Sequence, residues 1–300
     1  MVLESLRKIY REHQILLNEP MANHTSFKIG GPAKILVLPE NSDQIVNTIR
    51  LCKSMDQPYL IMGNGSNILV EDKGIDALII KISEQMSSVE FDGDTVIAES
   101  GVLLSKLSKM IQRASLKGFE FASGIPGTLG GAIFMNAGAY DGEIKDVIEW
   151  VEVITPEDEI IRIDSKALAF DYRTSVVRDK GYIVLRCAIK LEKGDPMIIQ
   201  EIINELTYKR VSRQPLEYPS AGSTFKRPPG FYAGQLIEDA GLRGLRHGDA
   251  QVSEKHCGFV INVGKATCNE VMDLIRVIQK VVKDTFDVDL EREVRIFGKE

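Results

Sequence analysis

The sequence predicts an α+β fold of two or three domains. After a first helix, the chain runs in the order strand, helix, strand, which is the order of a β-α-β unit. The later parts mix short strand patterns with helical periods and include a hairpin signal, as antiparallel α+β domains do. The chain has 300 residues, enough to build a substantial core in each of two or three domains.

The β-α-β unit comes first. Lys34–Leu38 is predicted as a strand, Ser42–Ser54 as a helix with Ser42 as its N-cap, and Tyr59–Met62 as the second strand. That strand leads into Gly63-Asn64-Gly65-Ser66-Asn67, a turn-rich loop at a carboxyl end, where ligands bind in such sheets. Because Ile68 takes the place of a third glycine, the loop is not the dinucleotide fingerprint, and no Gly-Lys-Ser/Thr follows to make a Walker loop.

The middle of the chain is predicted to be antiparallel. Short strand-like runs between Ala77 and Ser100 are interrupted by Asp92-Gly93-Asp94, a hairpin signal. A helix is expected from Leu103 to about Lys117. Further strands are expected at Val147–Ile154, Ile160–Ile163 and Tyr182–Leu191.

A proline-marked turn at Gln214-Pro215 predicts the boundary to a last domain. It follows a helix predicted from Pro196 to Arg213. The last domain is expected to be α+β as well. Its predicted elements are a helix at Ala233–Ala240, a strand at Gly258–Val263, a long helix at Asn269–Phe286 and a final strand at Glu293–Phe297.

Composition and charge exclude several classes of protein. Hydrophobic residues make up 44% and charged residues 27% of the chain, as in soluble globular proteins. The net charge of -6 argues against bulk nucleic-acid binding. The first twenty residues predict an amphipathic helix rather than a signal peptide, and no run is apolar enough to span a bilayer, so we expect a cytoplasmic protein. The cysteines and histidines are too scattered for a disulfide scaffold or a metal site, and we expect buried, reduced thiols.

Residues 124–140 form the most informative segment, Gly-Ile-Pro-Gly-Thr-Leu-Gly-Gly-Ala-Ile-Phe-Met-Asn-Ala-Gly-Ala-Tyr. Its glycines would let another molecule approach the backbone closely. Pro126-Gly127 predicts a turn, and the spacing of Leu129 and Ile133 predicts a short helix after it. The first turn of such a helix presents unpaired N–H groups, which attract phosphate. Tight packing of a helix in a core explains the glycines equally well.

Three other side chains have chemistry that plain structure does not need. The planar fork of Arg173 suits a carboxylate or the carbonyl edge of a flavin, although a surface ion pair also explains a lone arginine. The hydroxyl of Ser223 lies among small residues, and because no Gly-x-Ser-x-Gly surrounds it, a proton donor fits better than an acyl-transfer nucleophile. A serine in a turn is the plain alternative. Alternation places Glu293 on a charged strand face, which is either solvated or the site of an acid.

Together these segments resemble a known family. Along almost its whole length the chain is similar to the bacterial UDP-N-acetylenolpyruvoylglucosamine reductases, also called UDP-N-acetylmuramate dehydrogenases or the MurB family. Each matching segment is weak alone, but their joint occurrence in the family's order is highly specific. They are Thr25-Ser26-Phe27-Lys28-Ile29-Gly30-Gly31, Gly63-Asn64-Gly65-Ser66-Asn67, residues 124–140, Tyr172-Arg173-Thr174-Ser175, Gly222-Ser223-Thr224-Phe225-Lys226 and Leu290-Glu291-Arg292-Glu293-Val294.

The resemblance implies a fold and a reaction. The implied fold is the FAD-binding p-cresol methylhydroxylase type, with two α/β subdomains at 1–75 and 76–213 and a C-terminal α+β substrate-binding domain at 214–300. Members of the family bind FAD non-covalently and use NADPH to reduce UDP-N-acetylglucosamine enolpyruvate to UDP-N-acetylmuramate, a peptidoglycan precursor. We therefore expect FAD, NADPH and this sugar nucleotide as ligands of a monomeric cytoplasmic enzyme.

The resemblance also implies the roles of individual residues. Arg173 and Glu293 match the arginine and the glutamate that hold and polarise the substrate carboxylate, and Ser223 matches the proton donor. Hydride addition to an enolpyruvate needs positive charge and an acid there, because electrons move onto the carboxylate. The expected flavin contacts are Asn64, Gly65, Ser66, Asn67, Ile125, Pro126, Gly127, Thr128, Gly131, Phe134, Gly138 and Ala139. The expected sugar-nucleotide contacts are Tyr140, Arg210, Arg213, Lys226 and His256.

The chain departs from the family pattern in two places. Arg227 stands where many members have asparagine, so its part in phosphate binding stays open. Arg173 and Ser223 are fifty positions apart (223 minus 173), which leaves no room for the inserted tyrosine loop of the longer members and predicts the shorter type. Two rival functions are a flavin oxidase or dehydrogenase of the same fold with another donor, and a non-catalytic protein that binds a flavin or a sugar nucleotide.

Overall fold

Helices and strands are mixed along the chain, and a computed structural model describes them for residues 1–298. The α-helices are α1 (Val2–Ile9), α2 (Ser42–Ser54), α3 (Leu104–Arg113), α4 (Leu129–Phe134), α5 (Val176–Asp179), α6 (Pro196–Arg213), α7 (Ala233–Asp239) and α8 (Cys268–Phe286). The strands are β1 (Ile15–Pro20), β2 (Pro32–Val37), β3 (Tyr59–Met62), β4 (Ile68–Val70), β5 (Leu78–Lys81), β6 (Val89–Asp92), β7 (Thr95–Glu99), β8 (Leu116–Lys117), β9 (Gly138–Ala139), β10 (Gly142–Glu143), β11 (Ile148–Ile154), β12 (Ile160–Asp164), β13 (Ile183–Lys190), β14 (Glu192–Lys193), β15 (Arg246–His247), β16 (Ala250–Val252), β17 (Val260–Asn262) and β18 (Arg295–Phe297). The predicted α+β class is confirmed.

The elements form two units, each built from three stretches of chain. Unit 1 consists of Met1–Leu16, Leu36–Asn64 and Ala77–Arg210, and unit 2 of Leu17–Ile35, Gly65–Asp76 and the chain from Val211 on. Each unit has a hydrophobic core of its own. The division into domains at 1–75, 76–213 and 214–300 stays a prediction.

The β-α-β unit forms as predicted, with a third strand between its two strands. β2 and β3 both pair with β5 in parallel, in the order β1-β2-β5-β3. The predicted N-cap of α2 was wrong: the cap is Asn41, whose side chain accepts the Gln44 N–H at 3.0 Å. Asparagine and serine are both good caps, and when they are adjacent the sequence does not show at which of them the helix begins.

An antiparallel sheet in the order β12-β11-β13-β7-β6 forms the other part of unit 1. The hairpin predicted at Asp92-Gly93-Asp94 joins β6 to β7. Trp150 on β11 is buried, and the guanidinium of Arg162 on β12 lies 4.1 Å from its ring centroid. The predicted helix to Lys117 was too long, because Ser115 adopts a left-handed φ of +57° and the chain then pairs with β14 as β8.

Unit 2 combines a three-stranded sheet, β15-β16-β17, with α7, α8 and a parallel pair of β4 and β18. α8 begins in a reciprocal cap of Thr267 and Glu270, and the carboxylate of Asp72 accepts the N–H groups of Cys268 and Asn269 at 2.7 and 3.1 Å. The two strands predicted to start at Gly258 and Glu293 begin later, at Val260 and Arg295.

The structure also bears on the cysteines and on membrane-spanning helices. All four cysteines are buried and free, as predicted. Burial raises the pKa of the Cys52 thiol to about 11, so it stays protonated at neutral pH. Over residues 1–298, no helix has the length and apolar character that crossing a membrane requires.

Candidate active site

The glycine-rich stretch folds into the predicted turn and short helix, with Thr128 as the N-cap of α4. The prediction that its first N–H groups are unpaired was wrong, because the chain just before α3 runs alongside and supplies acceptors. Phosphate binding by a free helix end is therefore not the explanation of this segment. The bonds run from Leu129 to the Val102 carbonyl (2.9 Å), from Gly130 to the Ser100 carbonyl (2.8 Å) and from Gly131 to Thr128 Oγ1 (3.4 Å).

Packing explains several of the glycines in this stretch. A Cβ on Gly130 would lie 2.8 Å from the Cβ of Ser100, and one on Gly124 would lie 2.8 Å from Cδ of Arg210. Both separations are shorter than real Cβ contacts allow. At Gly130 the interpretation as tight packing, left open by the sequence, is the correct one, whereas at Gly124 the neighbouring atoms belong to the flexible end of the Arg210 side chain.

Gly131 is different, because the fold itself does not need a glycine there. The residue is exposed, and a Cβ would meet Thr128 Oγ1 at 3.5 Å, an ordinary contact. Alanine inside a helix is favoured over glycine by about 0.5–1 kcal/mol. The fold would therefore tolerate alanine at this exposed helical position. A glycine there suits a ligand that lies against the backbone, because it has no side chain to block the approach.

A buried polar atom lies next to this helix. The hydroxyl of Ser100 is buried and has no hydrogen-bond partner among the described residues, and its oxygen is 3.5 Å from the position that a Cβ on Gly130 would take. Buried hydroxyl groups nearly always find partners. An unsatisfied hydroxyl beside a segment with an unexplained glycine fits the binding of a polar cofactor such as a flavin dinucleotide.

The first two residues of the 63–67 loop, Gly63 and Asn64, lie against the glycine-rich stretch within unit 1. Asn64 Nδ2 donates to the carbonyl of Pro126 at 3.0 Å, and a Cβ on Gly63 would collide with Thr128 Oγ1. The structure thus brings together two of the segments predicted to bind the flavin. In unit 2, Gly65 has a left-handed φ of +67°, and a Cβ there would collide with the carbonyl oxygen of His24.

Asn67 connects the end of this loop to the C-terminal segment of unit 2. Its Nδ2 donates to the carbonyl of Glu293 at 3.2 Å, and its own carbonyl accepts the Arg295 N–H at 3.1 Å. A residue predicted to contact the flavin therefore lies next to the glutamate predicted to be catalytic.

Arg173 is presented by a tight turn in unit 1. The backbones of Asp171 and Thr174 exchange two N–H···O bonds of 3.2 Å, and Tyr172 and Arg173 make the turn. Arg173 has a φ of +57°, at a turn position where glycine or asparagine is usual. Strained positions of this kind cluster at functional sites. The guanidinium lies 5.1 Å from the ring centroid of Tyr172.

Asn136 lies beside this turn, and no sequence pattern predicted a role for it. Asn136 Nδ2 donates to the carbonyl of Asp171 at 3.1 Å, and Ser175 Oγ donates to the carbonyl of Phe134 at 2.9 Å. The only local signal was the residue type, since asparagine tolerates the left-handed φ of +42° that Asn136 adopts.

Ser223 and Glu293 come close in unit 2 through their backbones. Thr224, next to Ser223, donates its N–H to the Gly258 carbonyl at 2.9 Å, and its carbonyl accepts the Glu293 N–H at 2.9 Å. Ser223 is exposed and Glu293 is half-buried. A hydroxyl donor and a carboxylate therefore stand on two paired segments.

The predicted substrate residues of unit 2 have different surroundings. Lys226 forms an ion pair with Glu291 beside the same pairing, and Arg213 is exposed at the end of α6. His256 is half-buried, and its Nδ1 accepts the Gly258 N–H at 3.1 Å, so that nitrogen carries no proton. Burial lowers the pKa of His256, which favours the neutral ring.

Tyr140 and Arg210, the predicted substrate residues of unit 1, lie near one another. Arg210 packs on Gly124; burial lowers the pKa of its guanidinium, and the nearby Tyr140 acts in the opposite direction. Tyr140 and Asp141 both have positive φ values, +52° and +66°, in the two-residue turn between β9 and β10. This turn type normally needs asparagine or glycine, so a tyrosine there is strained.

Comparisons with known proteins show the family to which the chain belongs. Residues 33–164 match the family described as "FAD binding domain", and residues 214–297 match "UDP-N-acetylenolpyruvoylglucosamine reductase, C-terminal domain". The UDP-N-acetylenolpyruvoylglucosamine reductase of Alkaliphilus oremlandii is 56% identical over 297 residues, which is 99% of this chain and 98% of that one. The chain belongs to the UDP-N-acetylenolpyruvoylglucosamine reductase family. It is therefore an enzyme, a flavin-dependent oxidoreductase, and the predicted resemblance is confirmed.

Solved structures support the fold of this reductase. The crystal structure of the UDP-N-acetylenolpyruvylglucosamine reductase (MurB) of Thermus caldophilus superposes with a TM-score of 0.81 at 34% identity, covering 95% of this chain and 98% of that one. An alkyldihydroxyacetonephosphate synthase matches 64% of this chain and 40% of its own, with a TM-score of 0.51 and 16% identity, which is a likeness of fold alone. The predicted FAD-binding type of α+β fold is confirmed.

Proposed function

We propose that this reductase converts UDP-N-acetylglucosamine enolpyruvate to UDP-N-acetylmuramate at the expense of NADPH, as a cytoplasmic step in making peptidoglycan precursors. The observation that carries the proposal is the backbone pairing of the Ser223 segment with the Glu293 segment, which brings a residue with a hydroxyl and a residue with a carboxyl group onto adjacent segments. Relatives named for this substrate over nearly the whole chain support it.

The residues present fit a flavin. Those that would hold it are the loop from Asn64 to Asn67 and the segment from Ile125 to Ala139, in which Gly131 leaves the backbone open to a ligand. The chemistry supplied by bound FAD is hydride transfer, from NADPH and then to the vinyl carbon of the substrate.

Arg173 binds the carboxylate of the enolpyruvyl group through its guanidinium, and Glu293, as an acid that carries its proton, donates a hydrogen bond that helps to polarise it. When hydride adds to the double bond, negative charge develops on the neighbouring carbon and spreads onto the carboxylate. A guanidinium at this carboxylate stabilises that charge, because it lies where the charge develops and bonds through two parallel N–H groups. Tyr140, Arg210, Arg213, Lys226 and His256 would bind the rest of the sugar nucleotide.

Ser223 donates the proton that completes the reduction. Its hydroxyl is a weak acid in water, but a carbanion next to a polarised carboxylate is a strong base, and a positioned general acid contributes roughly a hundred- to ten-thousand-fold. Because Ser223 is exposed, solvent can return the proton after each turnover.

An anaerobic absorbance experiment tests the proposal. The protein, purified with FAD, should lose its flavin absorbance on addition of NADPH and recover it when the enolpyruvyl sugar nucleotide is added. UDP-N-acetylglucosamine, which lacks the enolpyruvyl group, is the matched control and should restore nothing. A protein that binds no FAD, or a reduced protein that the sugar nucleotide leaves bleached, would contradict the proposal.

A further inference from the structure

The turn that presents Arg173 does not hold itself in place. Its left-handed φ is one that a residue with a side chain rarely adopts. Two backbone bonds between Asp171 and Thr174 close the turn, and Arg178 Nη1 donates to the carbonyl of Arg173 at 2.8 Å. A strained position persists when the surrounding structure fixes it. Side chains and backbone groups around the turn must therefore hold it in this conformation.

The end of α4 supplies two of these groups. Asn136, just beyond the helix, donates to the carbonyl of Asp171 on one side of the turn. On the other side, Ser175 donates to the carbonyl of Phe134. The turn is thus attached at both ends to the last residues of the glycine-rich stretch.

Asn136 has a second set of bonds, to the hairpin that follows. Its Nδ2 also donates to Glu143 Oε2 at 2.9 Å, and its Oδ1 accepts the Lys145 N–H at 3.0 Å. Lys145 Nζ lies 2.7 Å from the same Glu143 oxygen. Asn136 is 1% exposed, and this network uses both N–H groups of its amide and its carbonyl oxygen.

The carboxylate of Glu143 is held between Asn136 and Lys145. Burial alone would raise the pKa of Glu143, but hydrogen bonds from Lys145 and Asn136, and the charges of Lys145 and Arg173, outweigh it and lower the pKa. The carboxylate is therefore ionised at neutral pH and attracts the guanidinium.

We infer that Asn136 and Glu143 are positioning residues for Arg173. Asn136 fixes the backbone of the Arg173 turn to the end of α4, and Glu143, which accepts from the same amide nitrogen at 2.9 Å, orients that amide for its bond to the turn. The inference rests on the proposed function, because it takes the substrate carboxylate as the ligand of Arg173. Both residues act through Arg173 and are not assigned a contact with the reacting atoms.

Two substitutions separate these roles. Asn136→Asp keeps the size, the acceptor for Lys145 and the tolerance of a left-handed φ, but an oxygen replaces the group that donates to both Asp171 and Glu143, so both links are lost. Glu143→Gln keeps an oxygen for Asn136 and removes the charge. Asn18→Asp is the matched control, since Asn18 is an exposed asparagine with a left-handed φ of +50°.

Both variants should be reduced by NADPH at the rate of the unaltered protein and should be reoxidised by the enolpyruvyl sugar nucleotide about 10- to 100-fold more slowly. FAD content should be unchanged. In hydrogen-exchange mass spectrometry, residues 170–176 should exchange faster in the Asn136→Asp protein, because the turn has lost an anchor. The Asn18→Asp protein should match the unaltered protein in all three measurements.

A double-mutant cycle distinguishes positioning from a general structural role. In an Arg173→Ala background, Asn136→Asp should slow reoxidation less than twofold further, since its effect passes through the missing side chain. An equal loss in both backgrounds, or equal slowing of both half-reactions, would overturn the inference. If the unaltered protein is not reoxidised at all, the proposed function fails, and the exchange of residues 170–176 still decides whether Asn136 holds the turn.

Discussion

The turn that presents Arg173 and the segment that presents Ser223 are held in different ways. Side chains hold the first: Asn136 and Ser175 bond across its two ends, and the backbone of Arg173 is strained. Mainly backbone groups hold the second, through the bonds of Thr224 to Gly258 and Glu293, and the Thr224 hydroxyl also accepts the Val260 N–H at 2.9 Å.

The difference matters because backbone pairing does not depend on which side chain a residue carries. The Ser223 segment should lose its chemistry without losing its shape when the serine is replaced. At the Arg173 turn the same side-chain bonds fix the backbone conformation and the position of the guanidinium. Substitutions around this turn should therefore change both the local structure and the activity. Substitutions in these two regions, and in the glycine-rich stretch at 124–140 that borders the Arg173 turn, test this difference.

The largest effect is expected from Ser223→Ala. Loss of the general acid should slow reoxidation by the sugar nucleotide roughly a hundred- to ten-thousand-fold, with flavin reduction by NADPH near normal. Stopped-flow absorbance measures both half-reactions, and the melting temperature should not change. Ser220→Ala, on a neighbouring serine, is the control. Equal loss of both half-reactions would mean that Ser223 has a structural role.

Arg173→Gly should separate stability from activity at the other region. Glycine relieves the left-handed strain, so the free energy of unfolding should rise by up to about 1 kcal/mol after the entropic cost of glycine is deducted. Reoxidation should fall about 10- to 100-fold or more, because a charge-assisted bond to the substrate carboxylate is lost. Urea unfolding and stopped-flow absorbance measure the two effects. A less stable variant would show that the turn is not strained.

Gly131→Ala tests whether the stretch next to the Arg173 turn is shaped for a ligand. The protein without FAD should be as stable or up to about 1 kcal/mol more stable, while the dissociation constant for FAD should rise about tenfold or more. Fluorescence titration with FAD measures the second effect. Gly130→Ala is the opposite case: its Cβ would meet Ser100, so the apoprotein itself should be destabilised. Unchanged FAD affinity in Gly131→Ala would remove Gly131 from the cofactor site.

The smallest effect concerns pH and the backbone-paired region. Burial lowers the pKa of His256, so the native protein binds this proton less readily than the unfolded chain, whose histidines titrate near 6.5. The stability that the neutral ring contributes is present above about pH 6.5 and is lost as the pH falls below it. His256→Asn, which keeps an acceptor for Gly258, should show a smaller drop in melting temperature between pH 7.5 and 5.5. An identical drop in both proteins would exclude His256 as the cause.

Much of the fold could be predicted from local patterns. The ends of α6 are as predicted, because a proline starts the helix and a Gln-Pro pair follows it, and β3 also has its predicted ends. The predictions that were wrong concern features that depend on residues distant in the sequence. Nothing local shows that Val102 and Ser100 take the N–H groups of α4.

The types of residue in the candidate site could be predicted from the sequence, but their positions relative to one another could not. Residue chemistry and family resemblance singled out Arg173, Ser223 and Glu293, and the roles assigned to them stay predictions. The left-handed backbone of Arg173 and the bonds of Asn136 arise from tertiary contacts between segments 35 residues apart, and a sequence pattern carries no such information.

Trp150 gives the molecule an optical label for one unit only. It is the single tryptophan of the chain, and it is buried in the antiparallel sheet of unit 1 beside Arg162. Its emission during denaturation therefore follows the loss of that sheet, while circular dichroism in the far ultraviolet follows both units. Coincident midpoints would mean that the two units unfold as one cooperative body, and separate midpoints would give each unit a stability of its own.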